Sequence, residues 1–128
     1  MDGDPLPGDR AVALAAAAAE AVRGLNHAVG GDGIGLPSAA YDILGALALA
    51  ASRLGPALTE ITRYLDRALA GGILGCDLGG DPCFAVDAAG TFLDDARLQA
   101  ASLAGDLAAA QQQIASLNAL AYVRENQP

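Results

Sequence analysis

Apolar residues recur along this chain with helical rather than strand period, in three blocks separated by glycine clusters. The last block carries the longest pattern. One line of a heptad repeat reads Val86, Leu93, Ala100, Leu107, Ile114, Ala121. A second, three residues on, reads Ala89, Ala96, Leu103, Ala110, Leu117 and breaks at Arg124. Such a seam, free of charge over five heptads, predicts a long helix packed in a bundle or coiled coil. Asp81-Pro82 supplies its start, a capping side chain followed by proline at the first helical position. Running unbroken to Glu125, it would span about 66 Å.

Asp9 is the expected N-cap of the first helix, Arg10 to about Val29. Its charged positions, Glu20, Arg23 and His27, occupy one narrow stripe, and a helix apolar over so much of its circumference should be contacted on more than one side. Gly30 is its expected stop, opening a Gly-rich connection, and Ser38 is the expected N-cap of the second helix. That helix contains Gly55-Pro56, and an internal proline costs ~3 kcal/mol and kinks or breaks a helix. The apolar phase nevertheless runs through: Ala40, Leu47, Leu54, Ile61, Ala68 on one line and Leu44, Ala51, Leu58, Leu65 on the other. The expectation is one kinked helix, Ala39 to Ala70, with a tight break into two as the alternative. Gly71-Gly72 ends it.

The fold class expected is therefore all-α: an antiparallel three-helix bundle with a kinked second helix, or four segments if it breaks, and a long C-terminal helix. Residues 1–8 read as a disordered tail, 9–125 as one helical bundle domain and 126–128 as a short tail. Helix lengths of roughly 30, 48 and 66 Å place the first helix beside Ala39–Arg53 and the C-terminal half of the third. Tilting of the first helix and its loop could cover the remaining hairpin. Otherwise the segment around Leu58, Ile61, Leu65 and Leu69, opposite Val86, Leu93 and Ala100, needs a partner. A second copy forming a four-helix bundle is the simplest, and a helical protein partner the other.

Composition narrows the classes of function. The chain of 128 residues has no Trp, two Phe and three Tyr, and is 53% hydrophobic, mainly through alanine and leucine. A formal net charge of −8, with seven Arg and no Lys, disfavours nucleic acid and anionic membrane surfaces and suits a basic partner. Asp2, Asp4 and Asp9 stand where a secretory signal carries positive charge, and no run is long and apolar enough for a transmembrane span. A cytoplasmic location is expected, with non-classical export as the alternative.

Candidate chemistry is sparse. Cys76 and Cys83 form C-x6-C across the last connection. A disulfide there would be worth about 2–3 kcal/mol if unstrained, whereas a reducing cytosol favours two free thiols. Metal binding would need two further ligands, and His27 is the only histidine. His27 reads as a helix-terminal residue favouring the dipole. Neither glycine connection has a phosphate-binding spacing. No metal or cofactor is expected. No catalytic pair is placed by spacing, so a non-enzymatic interaction protein is the leading expectation, ahead of a ligand-binding bundle or an enzyme of unrecognised type. Gln111-Gln112-Gln113 makes a chargeless polar face, either neutral surface or partner contact.

Leu54-Gly55-Pro56-Ala57-Leu58-Thr59-Glu60-Ile61 with Tyr64-Leu65 and Gly71, together with Asp81-Pro82 and Ala85-Val86-Asp87-Ala88-Ala89, resemble short alanine-rich helical proteins of high-GC actinomycetes. The resemblance implies an actinobacterial cytoplasmic accessory protein and brings no site residues with it. A second comparison is with the helical-hairpin substrates of type VII secretion. Those carry Trp-x-Gly at the turn and an acid four residues after a tail tyrosine. This chain has no Trp, and Asn126 stands four residues after Tyr122.

Overall fold

The structure is a computed structural model that describes residues 3, 6–77 and 79–120. Among the described residues the chain forms four helices and no strand: α1 (Asp9–Val29), α2 (Pro37–Ser52), α3 (Leu54–Ala70) and α4 (Pro82–Gln113). The all-α bundle is as expected, in its four-segment form.

The single kinked helix is replaced by two helices separated at Arg53. Pro56 has no N–H to give the carbonyl of Ser52, four residues earlier, so the hydrogen-bond ladder lapses there. Arg53 keeps right-handed helical dihedrals (φ −86°, ψ −7°), and its N–H still donates to Leu49 and Ala50 carbonyls, at 3.1 Å each. The chain therefore breaks without losing direction. Two cross-helix approaches measure the register. The Gln111 side-chain amide donates to the Tyr41 carbonyl at 3.1 Å, and Gly55 lies against the Arg97 side chain. From 41 to 55, and back from 111 to 97, is fourteen positions on each side. The α2–α3 rod thus runs antiparallel to α4 in one register across the break.

The inward positions of that rod differ from the predicted pair of lines. Leu44, Ala51, Leu58 and Leu65 turn inward as expected, and of the other line Ala40 and Leu47 are half-buried and Ala68 buried, but in its middle Gly55 and Thr62 take the inward places expected for Leu54 and Ile61. Leu54 and Ile61 are half-exposed on the other flank, at 49% and 48%. α4 shows a related drift. Val86, Leu93, Ala100, Leu107 and Ile114 face inward throughout. The second line starts at Ala89 and Ala96, then passes to Ala104 and Gln111, leaving Leu103 half-exposed. A straight helix turns about 20° per heptad away from a strict seven-residue repeat. Over the roughly seven turns from Val86 to Gln111 that accumulates to about 70°, most of the ~100° between successive residues.

α4 is also shorter than predicted. It ends at Gln113, with turns through Ser116. The predicted helical positions Ala121–Glu125, and Tyr122 and Asn126, lie outside the described residues, as do four of the eight positions of the predicted N-terminal tail.

Caps explain the ends. Asp81 accepts the Cys83 N–H at 2.9 Å, with Pro82 at the first helical position, as the sequence predicted. Asp9 and Ser38 are not N-caps, since both lie inside the first turn and Gly8 and Leu36 precede the helices. Asp9 instead accepts the Leu6 N–H at 2.7 Å, and Pro37 takes the first position of α2. α3 ends in a Schellman arrangement, with Gly72 left-handed (φ +70°) and the Ile73 N–H reaching the Ala68 carbonyl at 3.2 Å.

Among the described residues the core lies wholly between the α2–α3 rod and α4. Its buried residues are Ala51, Ala68, Val86 and Ala100, and no described side chain is buried completely. Four small or medium side chains make a thin core, because alanine removes little apolar area from water. α1 does not join it. No residue of α1 is buried, and no Cα of α1 lies within 8 Å of a Cα in another helix. The expected packing of α1 against α2 and the C-terminal half of α4 is not formed. Its amino-terminal half instead faces α3 across an open gap.

Candidate functional site

A largely apolar concavity lies in that gap. Ala11, Leu14 and Ala15 of α1 stand opposite Leu54, Ile61 and Tyr64 of α3, around a cleft of about 620 Å³. α3 can line it because it carries two apolar stripes about 100° apart, the angle between successive residues. Leu58, Leu65 and Leu69 point to α4; Leu54, Ala57, Ile61 and Tyr64 point away from it. Tyr64 is 52% exposed and Leu14 58%. The one charged lining residue, Glu60, is paired with Arg63 at 2.6 Å.

The loop joining α1 to α2 sets how α1 leaves the bundle. The Gly33 N–H donates to the Gly30 carbonyl at 3.1 Å. A Cβ at Gly33 would sit 1.7 Å from the Ala28 carbonyl oxygen, so only glycine fits. Gly31 and Gly35 take left-handed φ of +59° and +75°, which other residues adopt at a cost.

The residues singled out from the sequence separate into two groups. Leu58, Leu65, Leu69 and Leu93 are half-buried, and Val86 and Ala100 buried, in the α3–α4 seam of the chain itself. Six of the seven residues expected at a partner surface thus take part in a seam that α3 and α4 form within the chain. Ile61 alone of the seven is substantially open. Leu54, Tyr64 and the α1 residues were missed because the heptad reading placed Leu54 and Ile61 on the α4 side. The signal was present in the Leu54-Ala57-Ile61-Tyr64 spacing of three, four and three.

Cys76 and Cys83 are free, half-buried thiols. The Cys83 thiol lies 3.7 Å from Asp87 Oδ2. That carboxylate pushes the thiol above its ordinary range, helped by partial burial and by Asp81, because each disfavours a second negative charge. Cys83 is therefore a weak nucleophile. His27 occupies the exposed last turn of α1, beside Arg23 and Asn26. No cluster of three or more His, Cys, Asp or Glu suited to a metal occurs among the described residues.

Gln111 resolves one open reading. Its amide is half-buried and bonded to Tyr41, in space that the missing side chain of Gly45 leaves free, whereas Gln112 and Gln113 are exposed. α4 also carries the chain's only two phenylalanines, Phe84 and Phe92, at 77% and 74% exposure. No described helix is long and apolar enough to cross a membrane.

Comparison of the chain with protein-family models, with curated proteins and with solved structures finds no match.

Proposed function

We propose that this protein is a non-enzymatic helical interaction module that self-associates. The observation that carries the reading is surface area. The chain exposes 9729 Å². A monomer of its 12.7 kDa mass would expose about 6,200 Å² on the usual scaling, so the excess is about 3,500 Å². Were all thirteen residues outside the description exposed as in an unfolded chain, they would account for roughly 2,000 Å² of it. About 1,500 Å² per protomer then remains, twice the ~800 Å² per partner of a standard interface and within the range of obligate ones.

Supporting the same reading, the apolar excess sits on helical faces. Val12, Leu14, Leu54, Ile61 and Tyr64 are all about half exposed or more. The resemblance to actinomycete accessory proteins fits a binding role in the cytoplasm. The test is the solution mass by light scattering at micromolar concentration. The expected result is a dimer or higher oligomer, and a monomeric mass throughout would overturn the proposal.

A second reading, favoured by Phe84 and Phe92, is docking of a basic helical protein on α4, where Asp87 lies between the two rings in sequence and Asp94 and Asp95 follow Phe92.

A further inference from the structure

We infer that a second copy of this chain closes the cleft between α1 and α3, the two helices of each protomer meeting as a four-helix bundle about a two-fold axis. The inference rests on the self-association proposed above and adds which face carries it.

Charge selects the face. The −8 is unevenly placed. In α1, Asp9 and Glu20 balance Arg10 and Arg23, for zero. In α3 with its cap, Arg53, Arg63 and Arg67 outweigh Glu60 and Asp66 by one. α4 carries Asp87, Asp94, Asp95 and Asp106 against Arg97, for −3. In an isologous dimer every patch meets its own copy. Two α1–α3 pairs meet nearly neutral overall, while two α4 helices set −3 against −3. A basic partner would gain little at α1–α3 and more at α4. An acidic chain therefore has its self-complementary surface where its charge cancels.

Geometry selects the same face. α3 presents Leu54, Ile61 and Tyr64 half-exposed, in an apolar stripe its own bundle does not use. α1 stands opposite, but no Cα of α1 lies within 8 Å of a Cα in another helix. The cleft of about 620 Å³ is thus flanked by two apolar helix faces that do not close on each other. Helices meeting at the usual 8–10 Å axis spacing would fill it. The roughly 1,500 Å² of surplus surface per protomer exceeds the ~800 Å² per partner of a standard interface.

The experiment is sedimentation equilibrium across micromolar concentrations of full-length wild type, Leu54→Glu, Ile61→Glu and Phe92→Glu. All three positions are about half exposed or more. A dimeric wild type, a dissociation constant raised more than about 100-fold in Leu54→Glu and Ile61→Glu, and no change in Phe92→Glu would support the inference, since each change enters a symmetric interface twice. A wild type monomeric at every concentration overturns self-association itself. A dimer that survives Ile61→Glu and Leu54→Glu overturns the assigned face and leaves self-association standing. Should a glutamate variant lose its helical circular dichroism, hydrogen exchange on the wild type decides. Protection of residues 9–29 and 54–64 that rises with concentration supports the assignment, and its absence there overturns it. A monomer carrying a small apolar ligand in native mass spectrometry would overturn the second copy as occupant.

Discussion

Gly33 shows how one residue sets a larger geometry. Its missing Cβ would occupy the position of the Ala28 carbonyl, a backbone group that cannot swing aside as a side chain can. Gly33→Ala should cost at least about 1 kcal/mol and speed hydrogen exchange in residues 25–36. Unchanged exchange there would argue against the tight approach. Gly45 differs, because its neighbour is the end of a flexible side chain. A Cβ there would lie 2.5 Å from Gln111 Nε2. Alanine should raise helix stability by up to about 1 kcal/mol, offset by displacing the amide from Tyr41. Gly45→Ala should therefore stabilise Gln111→Ala more than it stabilises the wild type, a coupling that thermal melts of the four proteins can measure. At Cys83 the sign is set by Asp87. A raised thiol holds less thiolate near pH 8, so alkylation should be slower than for an unperturbed thiol. Asp87→Asn should accelerate it, and equal rates would mean that the carboxylate does not act on the sulfur.

At the scale of elements, proline divides α2 from α3 with little disturbance of their shared register. Pro56→Ala restores an N–H to the Ser52 carbonyl and should join the two helices, stabilising by about 1 kcal/mol out of the ~3 an internal proline can cost. The expected readout is a higher melting temperature with slightly greater helicity; a lower melting temperature would show that the break is needed for packing on α4. The drift along α4 has its own test. Leu103→Glu should change stability by less than about 0.5 kcal/mol, as exposed positions do, while Ala104→Glu should cost several times more. The heptad reading predicts the reverse order. Three exposed ion pairs among the described residues, Glu20–Arg23, Glu60–Arg63 and Asp94–Arg97, are each i,i+3 and contribute little.

At the scale of the molecule, the core among the described residues lies entirely in α2, α3 and α4. A chain lacking residues 1–36 should therefore keep a cooperative thermal transition while losing self-association through the α1–α3 face. Loss of the transition would show that α1 supports the fold of the protomer. Salt offers a second check. With the acidic charge of α4 away from the interface, added salt should leave dimerisation unchanged or strengthen it by screening residual repulsion. Marked weakening by salt would point to attractive charge pairs instead.

The sequence by itself determined much of the local structure of this protein, though not the caps of α1 and α2, the break at Arg53 or the end of α4. Alanine and leucine at helical spacing, the Asp81-Pro82 cap, Gly71-Gly72 and the glycines after Val29 fix where helices run and stop, because propensity, capping and φ are properties of a few neighbouring residues. It also carried one true line of each seam, Leu44 to Leu65 and Val86 to Ile114. The tertiary structure decided the rest. Whether Leu54 or Gly55 faces α4, and whether the contact passes to Leu103 or Ala104, depends on a rotation of tens of degrees that a repeat of small apolar residues barely encodes. Whether α1 packs or stands apart depends on the approach that Gly33 allows and on what the other helices have already buried. For that reason the exposed stripe of α3 became visible only once α4 had claimed the first one.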